Sequence, residues 1–131
     1  MSNLLDLHLS QTPDPTIVPG GEEYQLHVQT AELGQNKDQT RDMITVMLTV
    51  VGNPTALPVF EYLAIPNPDD APNTQYLMKL RIKQFLQAFD VDVDNPGEPG
   101  DWVGKEGWAV LKVDEYEGVT RNKVSRYIVK K

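Results

Sequence analysis

The chain has 131 residues and no cysteine, which excludes a disulfide framework and any thiolate metal site. Its hydrophobic fraction of 40% and charged fraction of 24% are ordinary for one globular domain, and no apolar run predicts a membrane span or a secretory signal. We therefore expect a soluble cytoplasmic protein without membrane partners, and its net charge of −7 weighs against a polyanionic ligand.

Residues 1–20 are predicted to form an arm, and residues 21–131 a single domain. Leu5, Leu7 and Leu9 alternate with polar residues, and two Pro-containing segments follow. Because proline fixes φ and removes a donor, we expect an arm leading to a turn. The alternation leaves open a second interpretation, a short edge strand added to this or to a neighbouring subunit.

Two strands follow the arm. Tyr24, Leu26 and Val28 alternate with polar residues, and residues 43–50 alternate more strictly, with a polar loop at 34–39 between the two strands. Residues 57–65 predict a third strand, in which Phe60 and Tyr62 share one face. Both faces of this strand carry apolar side chains, so the pattern does not say which one is buried.

A helix is predicted from Thr74 to Phe89, with Asn73 as its N-cap, because apolar residues recur there at steps of three and four. Its apolar stripe is expected to close one end of the core. The acidic loop from Asp90 to Asp101 has the oxygen spacing of a calcium loop. However, Asn95 and Pro96 occupy the place where such a loop needs a sharp turn, so we predict a solvated loop and no metal site.

The last segment, from Gly107 to Lys131, predicts a β-hairpin that turns at Glu117 and Gly118. Side chains alternate along a strand, so each strand has two faces. The predicted core face holds Ala109, Leu111, Val113, Val124 and Ile128. The predicted outer face holds Lys112, Tyr116, Arg121, Lys123 and Tyr127. Trp108 falls on the outer face but is expected to cover apolar surface, whereas Tyr116 near the turn is expected to be exposed.

This hairpin is the cationic part of the chain. Residues 103–131 carry seven Lys or Arg and four Asp or Glu, whereas residues 1–102 carry five and fifteen. Because salt screens exposed charges beyond about 8–10 Å, the local excess matters more than the net charge. Cations beside flat rings are typical of a surface that binds single-stranded nucleic acid.

The predicted order of three strands, a helix and two strands gives the fold class. We expect a mainly β protein with a five-stranded OB-like barrel and one helix between strands three and four. In that architecture, ligands contact strands two and three and the loops after strands one and four. Lys37 and Arg41 lie in the first of these loops. Tyr116, Arg121, Asn122 and Lys123 lie at or beside the second.

Three segments resemble the small single-stranded DNA-binding proteins of bacteriophages, long catalogued as a phage domain of unknown function. They are Pro19 to Tyr24, the run from Val59 through Phe89, and Val103 to Val124. The resemblance implies an OB-type fold and sequence-tolerant binding of single-stranded DNA in phage replication or recombination, within the host bacterium's cytoplasm. It also implies possible replication or recombination proteins as partners. The chain departs from many replication proteins in ending with lysines rather than an acidic tail.

From these patterns and the resemblance we predict a nucleic-acid-binding surface. Its candidate residues are Lys37, Arg41, Phe60, Tyr62, Lys112, Tyr116, Arg121, Lys123, Arg126 and Tyr127. No nucleophile, phosphate loop or metal cluster is recognisable, so we expect no enzyme and no cofactor. A homodimer or larger assembly is expected. The alternative function is a protein-interaction or virion-assembly module that uses the same face as a subunit contact.

Overall fold

The computed structural model describes residues 4–129 and shows one antiparallel sheet of five strands with one α-helix. The elements are β1 Glu23–Gln35, β2 Asp42–Val50, β3 Val59–Ala64, α1 Pro72–Ala88, β4 Glu106–Tyr116 and β5 Val119–Ile128. Short 3-10 helices occupy Leu4–Leu7, Leu9–Gln11 and Pro99–Trp102. Within residues 4–129, no helix is long and apolar enough to cross a membrane.

The strands form in the order β3-β2-β1-β4-β5. Apolar residues at alternate positions of β1 and β2 point into the core, where Leu26, Val28, Val46 and Leu48 are fully buried. The mainly β fold, with its helix between strands three and four, is therefore confirmed. The sheet curls until β3 and β5 lie in contact, but no ladder of hydrogen bonds joins these two strands. The structure therefore shows a curled open sheet and not the closed form of the predicted barrel.

Helix α1 begins at Pro72, two residues before the predicted start, and its N-cap position is Ala71 rather than Asn73. Proline is favoured in the first turn because that turn's N–H groups have no partner within the helix. The end of the helix closes the core. Phe85 stacks on Phe89 with ring centroids 4.7 Å apart, and both rings meet the edge of Tyr127. Gly107 of β4 lies directly against the Ala88 carbonyl, where a Cβ atom would collide.

The structure settles which face of β3 is buried. Val59, Glu61 and Leu63 point inward, and Phe60 and Tyr62 point outward. The buried Glu61 carboxylate accepts hydrogen bonds from Arg81 of α1 at 2.8 and 3.0 Å. Burial opposes the positive charge of Arg81, but the hydrogen bonds with Glu61 and its negative charge outweigh this, so the pKa of Arg81 is raised. This ion pair attaches the helix to the sheet.

The predicted exposure of Tyr127 is wrong. A β-bulge at Ser125 shifts the register, because Val110 pairs with Arg126 whereas Leu111 pairs with Val124. The extra residue reverses the alternation along the rest of β5. Tyr127 therefore faces inward and is 6% exposed. Burial, and then the charge of Glu61, raises the pKa of its hydroxyl group.

The same bulge moves Ile128 to the outer face, where it pairs with Trp108. The sequence predicts that Trp108 covers apolar surface, but in the structure its side chain is 36% exposed. Val113, predicted to lie in the core, is 48% exposed, because the last buried residue along β4 is Leu111. The inner tryptophan is Trp102, whose Nε1 donates a hydrogen bond to the Pro96 carbonyl at 2.9 Å.

The described part of the arm, residues 4–20, adds no strand to the sheet, although Thr16 forms one isolated parallel bridge with Ala56. Beyond Thr16 the arm crosses beneath the hairpin and is held by Asn122 of β5. The side-chain oxygen Oδ1 of Asn122 accepts a hydrogen bond from the Val18 backbone amide at 2.8 Å, and its Nδ2 donates to the Val18 carbonyl at 2.9 Å. Both residues are buried, so this side chain substitutes for a strand pairing.

Replacing Asn122 with Ala is expected to lower the free energy of unfolding by about 2–4 kcal/mol, because it leaves the buried amide and carbonyl of Val18 without partners. Urea denaturation monitored by tryptophan fluorescence measures the change. Thr120→Ala, an exposed change on the same strand, serves as the control and should alter stability by less than about 0.5 kcal/mol. Equal stability of the two variants would contradict the role given to Asn122.

Arg41, a candidate binding residue, is committed to a structural ion pair. Its guanidinium group donates to both oxygens of Asp70, at 2.7 and 3.0 Å, and to the Ile65 carbonyl at 3.1 Å. These bonds tie the loop after β1 to the segment before α1. Hydrogen bonds from Arg41 and from the Asn67 amide lower the pKa of Asp70 to about 2.

This pKa shift predicts a pH-dependent stability difference between the wild-type protein and Asp70→Asn. The folded-state pKa of Asp70 lies below its ordinary value of 3.8, so its stabilising effect is complete above that value. The effect is lost as the pH falls through about 2, where Asp70 is protonated in both states. Urea midpoints should therefore differ at neutral pH and converge toward pH 2. A difference that stays constant over this range would contradict the assignment.

Candidate nucleic-acid interface

A groove runs along the outer surface where β3 and β5 approach each other. It consists of two adjoining cavities, of about 240 and 330 Å³, that share Phe60, Tyr62 and Lys123 in their walls. Leu57, Pro58 and Val119 extend the apolar wall at one end. Lys112 and Arg81 line the other cavity. We call this feature the β3–β5 groove.

The aromatic wall of the groove is formed by Phe60 and Tyr62. Their rings are nearly parallel, with an interplanar angle of 15° and centroids 6.5 Å apart. Alternation along β3 places both on the outer face, where they are 41% and 49% exposed. On the neighbouring strand, Met47 lies opposite Phe60 and Thr45 opposite Tyr62. Two flat, accessible rings on one strand can stack against planar groups.

The opposite wall is cationic. Lys112 of β4 pairs directly with Lys123 of β5, so two positive side chains lie side by side on one face. Like charges directly opposed across strands are destabilising, so this pair favours the arrival of an anion. The carboxylate that moderates the repulsion is Asp114, whose Oδ2 lies 3.4 Å from Lys123 Nζ and 4.0 Å from Arg121 Nε.

Tyr116 and Arg121 form the end of this wall near the hairpin turn. The Arg121 guanidinium carbon lies 4.9 Å from the centroid of the Tyr116 ring, a cation–π contact. Tyr116 is 53% exposed and pairs with Val119, at the last position of the ladder. The ring and the guanidinium group therefore hold each other in a defined position at one end of the groove.

The groove thus combines three cations, Lys112, Arg121 and Lys123, with one nearby carboxylate, Asp114. Glu61 also lies in its wall, but Arg81 neutralises it. The local charge is positive although the chain is strongly acidic. Such a surface can stack planar groups on its rings and pair with phosphates through its cations.

The structure brings together five of the ten predicted binding residues in the walls of the β3–β5 groove. They are Phe60, Tyr62, Lys112, Arg121 and Lys123, and Tyr116 lies beside them through its contact with Arg121. Tyr127 is buried, and Arg41 is occupied by Asp70. Arg126 is exposed on β5 but lies beyond the bulge, and Lys37 is exposed in the β1–β2 loop, which adjoins the far end of β3.

Sequence reasoning missed the apolar wall at Leu57, Pro58 and Val119. It also missed the ion pairs that Asp114 forms with Lys123 and Arg121. No local pattern marks these residues, because they meet the binding residues only when the sheet curls.

The acidic loop also gains a structural explanation. Glu98 and Asp101 form a capping box around the 3-10 helix Pro99–Trp102, in which each side chain accepts a hydrogen bond from the other residue's backbone. No protein-family model and no curated protein matches the chain.

Proposed function

We propose that the protein binds single-stranded DNA in the β3–β5 groove with little sequence preference. The observation that carries the proposal is the exposed ring pair of Phe60 and Tyr62 beside the directly opposed Lys112 and Lys123. Neither feature contributes much to folding, since the rings remain exposed and the lysines repel each other. Both features would form favourable contacts with a ligand that has flat faces and negative charges.

The mechanism divides between the two walls of the groove. Consecutive bases stack on Phe60 and Tyr62, at about 1–3 kcal/mol per base. Lys112, Arg121 and Lys123 pair with phosphates and release counterions, so affinity falls as salt rises. A duplex hides its base faces inside its own stack, so the single strand is preferred. Every base has a flat face, so sequence has little influence.

The resemblance to phage single-stranded DNA-binding proteins extends the proposal to a biological role. In that role the protein is not an enzyme. It coats or protects single strands during phage replication or recombination in the cytoplasm of the host bacterium, and works alongside replication or recombination proteins. We propose that the protein self-associates as a homodimer or a larger assembly.

Fluorescence anisotropy tests the binding itself. A labelled oligo-dT is titrated with the protein at low and at high salt, and a labelled duplex of equal length is titrated in parallel. The proposal predicts micromolar or tighter binding of the single strand at low salt, weaker binding at high salt, and weaker binding of the duplex. Absence of salt-sensitive binding at micromolar protein would overturn it, and would assign the groove to protein contacts.

Asp114 is expected to limit this affinity, because it holds Lys123 and Arg121 in competition with phosphate. Asp114→Asn should bind oligo-dT about 1.4–5-fold more tightly, which corresponds to the 0.2–1 kcal/mol of an exposed ion pair. Glu115→Gln is the matched control, since it removes the same charge one residue away, on the opposite face of β4. The proposal predicts a larger gain for Asp114→Asn in anisotropy titrations. An equal gain would show only a change in net charge.

A further inference from the structure

The first described segment of the chain carries apolar side chains that the fold does not cover. Leu7 and Leu9 are 50% and 62% exposed within the two short 3-10 helices. Their alternate spacing would place both on one face if the segment became extended. An exposed apolar segment of this kind is suited to docking against another surface.

The arm joins the fold beside the β3–β5 groove. The Thr16 amide donates to the Thr55 carbonyl and the Leu57 amide donates to the Thr16 carbonyl, both at 2.8 Å. Leu57 itself lines the groove. Between this anchor and the leucines lie Pro13 and Pro15, and Thr12 is extended at φ −74° and ψ 124°. Prolines restrict this spacer to extended conformations, so a stretch of extended chain separates the leucines from the anchor at Thr16.

The groove complements the arm in both polarity and charge. Leu57, Phe60 and Val119 offer apolar walls for leucine side chains. The arm, residues 4–20, contains Asp6 and Asp14 and no Lys or Arg, whereas the groove carries Lys112, Arg121 and Lys123. An acidic, leucine-bearing segment therefore matches a cationic, apolar groove.

We propose that the arm of one copy docks in the β3–β5 groove of a second copy, with Leu7 and Leu9 against Phe60 and Val119. The stiff spacer opposes a return to the arm's own groove and favours a partner. Exchange of two arms gives an isologous dimer, in which each copy both donates and receives. The docked arm occupies the surface that nucleic acid would use, so the two ligands exclude each other. This proposal stands on the arm and the groove alone, whether or not the proposed binding of single-stranded DNA is correct.

Cysteine cross-linking tests the contact directly, because the chain has no cysteine of its own. Leu9→Cys and Val119→Cys variants are mixed under oxidising conditions, and disulfide-linked pairs are resolved on a non-reducing gel. The proposal predicts a rapid mixed disulfide between the two variants. The matched control mixes Leu9→Cys with Leu77→Cys, which introduces an equally exposed thiol on α1. Equal rates for both mixtures would overturn the proposal.

Light scattering provides the second measurement, without mutation of the groove. The full chain should have a mass above that of a monomer, and the Leu7→Asp, Leu9→Asp variant should return to the monomer mass. A monomeric full chain, or an assembly that this variant leaves intact, would refute the docking. Neither experiment contains nucleic acid, so failure of oligo-dT binding and failure of arm docking are distinguished.

Discussion

The Phe60→Ala, Tyr62→Ala double variant should lose most of its affinity for single-stranded DNA. Each ring stacks one base at about 1–3 kcal/mol, so removal of one ring weakens binding roughly 5-fold to 150-fold. Loss of both should weaken it at least about 30-fold. The loss of affinity should be the same for all oligonucleotide sequences, because stacking contacts the faces of the bases and not their hydrogen-bonding edges. Anisotropy titrations with oligo-dT and a mixed-sequence oligonucleotide measure both points.

Two control variants separate stacking from other effects. Tyr62→Phe keeps the ring and should retain affinity, and Tyr76→Ala removes a ring that is 60% exposed on α1, away from the groove. Thermal denaturation of each variant shows whether the fold is intact, which we expect because both groove rings project outward. If the double variant binds as the wild type does, the rings are not a stacking platform.

Arg81→Met should strongly destabilise the protein, although it leaves the packed volume nearly unchanged. It removes the partner of Glu61, whose carboxylate would remain buried without its two hydrogen bonds from the guanidinium group. Breaking a buried ion pair on one side costs about 3–5 kcal/mol. Because the Arg81 side chain keeps 32% of its exposure, we expect a loss of about 3 kcal/mol, at the lower end of that range.

The double variant Glu61→Leu, Arg81→Met tests the physical reason for that loss. When both charges are replaced by apolar groups of similar size, no buried charge remains, and much of the stability should return. Urea denaturation of the wild type, both single variants and the double variant gives the coupling free energy. Additive effects of the two single changes would show that the ion pair does not attach α1 to β3.

The sequence predicted the strands well where alternation was strict. Along β2 the apolar residues Ile44, Val46, Leu48 and Val50 alternate without interruption, and these four are buried. It failed at Tyr127, because the bulge at Ser125 depends on pairing with β4 and leaves no mark in the local pattern. It did not decide which face of β3 is buried. A glutamate such as Glu61 indicates an exposed face, unless a partner such as Arg81, twenty residues later in the chain, lies beside it.

The types of residue in the candidate site could be predicted from the sequence, but their assembly into one groove could not. Alternation placed Lys112, Arg121 and Lys123 on one face, and β3 offered two rings as a separate possibility. Only the curl of the sheet brings these two sets together, and curl is a property of the whole fold. Arg41 shows the opposite case, since its charge indicated a phosphate contact, whereas Asp70 occupies the guanidinium group.

The most direct measurement of the central claim is an NMR titration of the isotopically labelled protein with oligo-dT. We predict that the largest shifts fall on the ring signals of Phe60 and Tyr62 and on the backbone amides of Arg121 and Lys123. Shifts confined to α1 or to the loop at residues 90–101, or no shifts at all, would contradict binding in the β3–β5 groove.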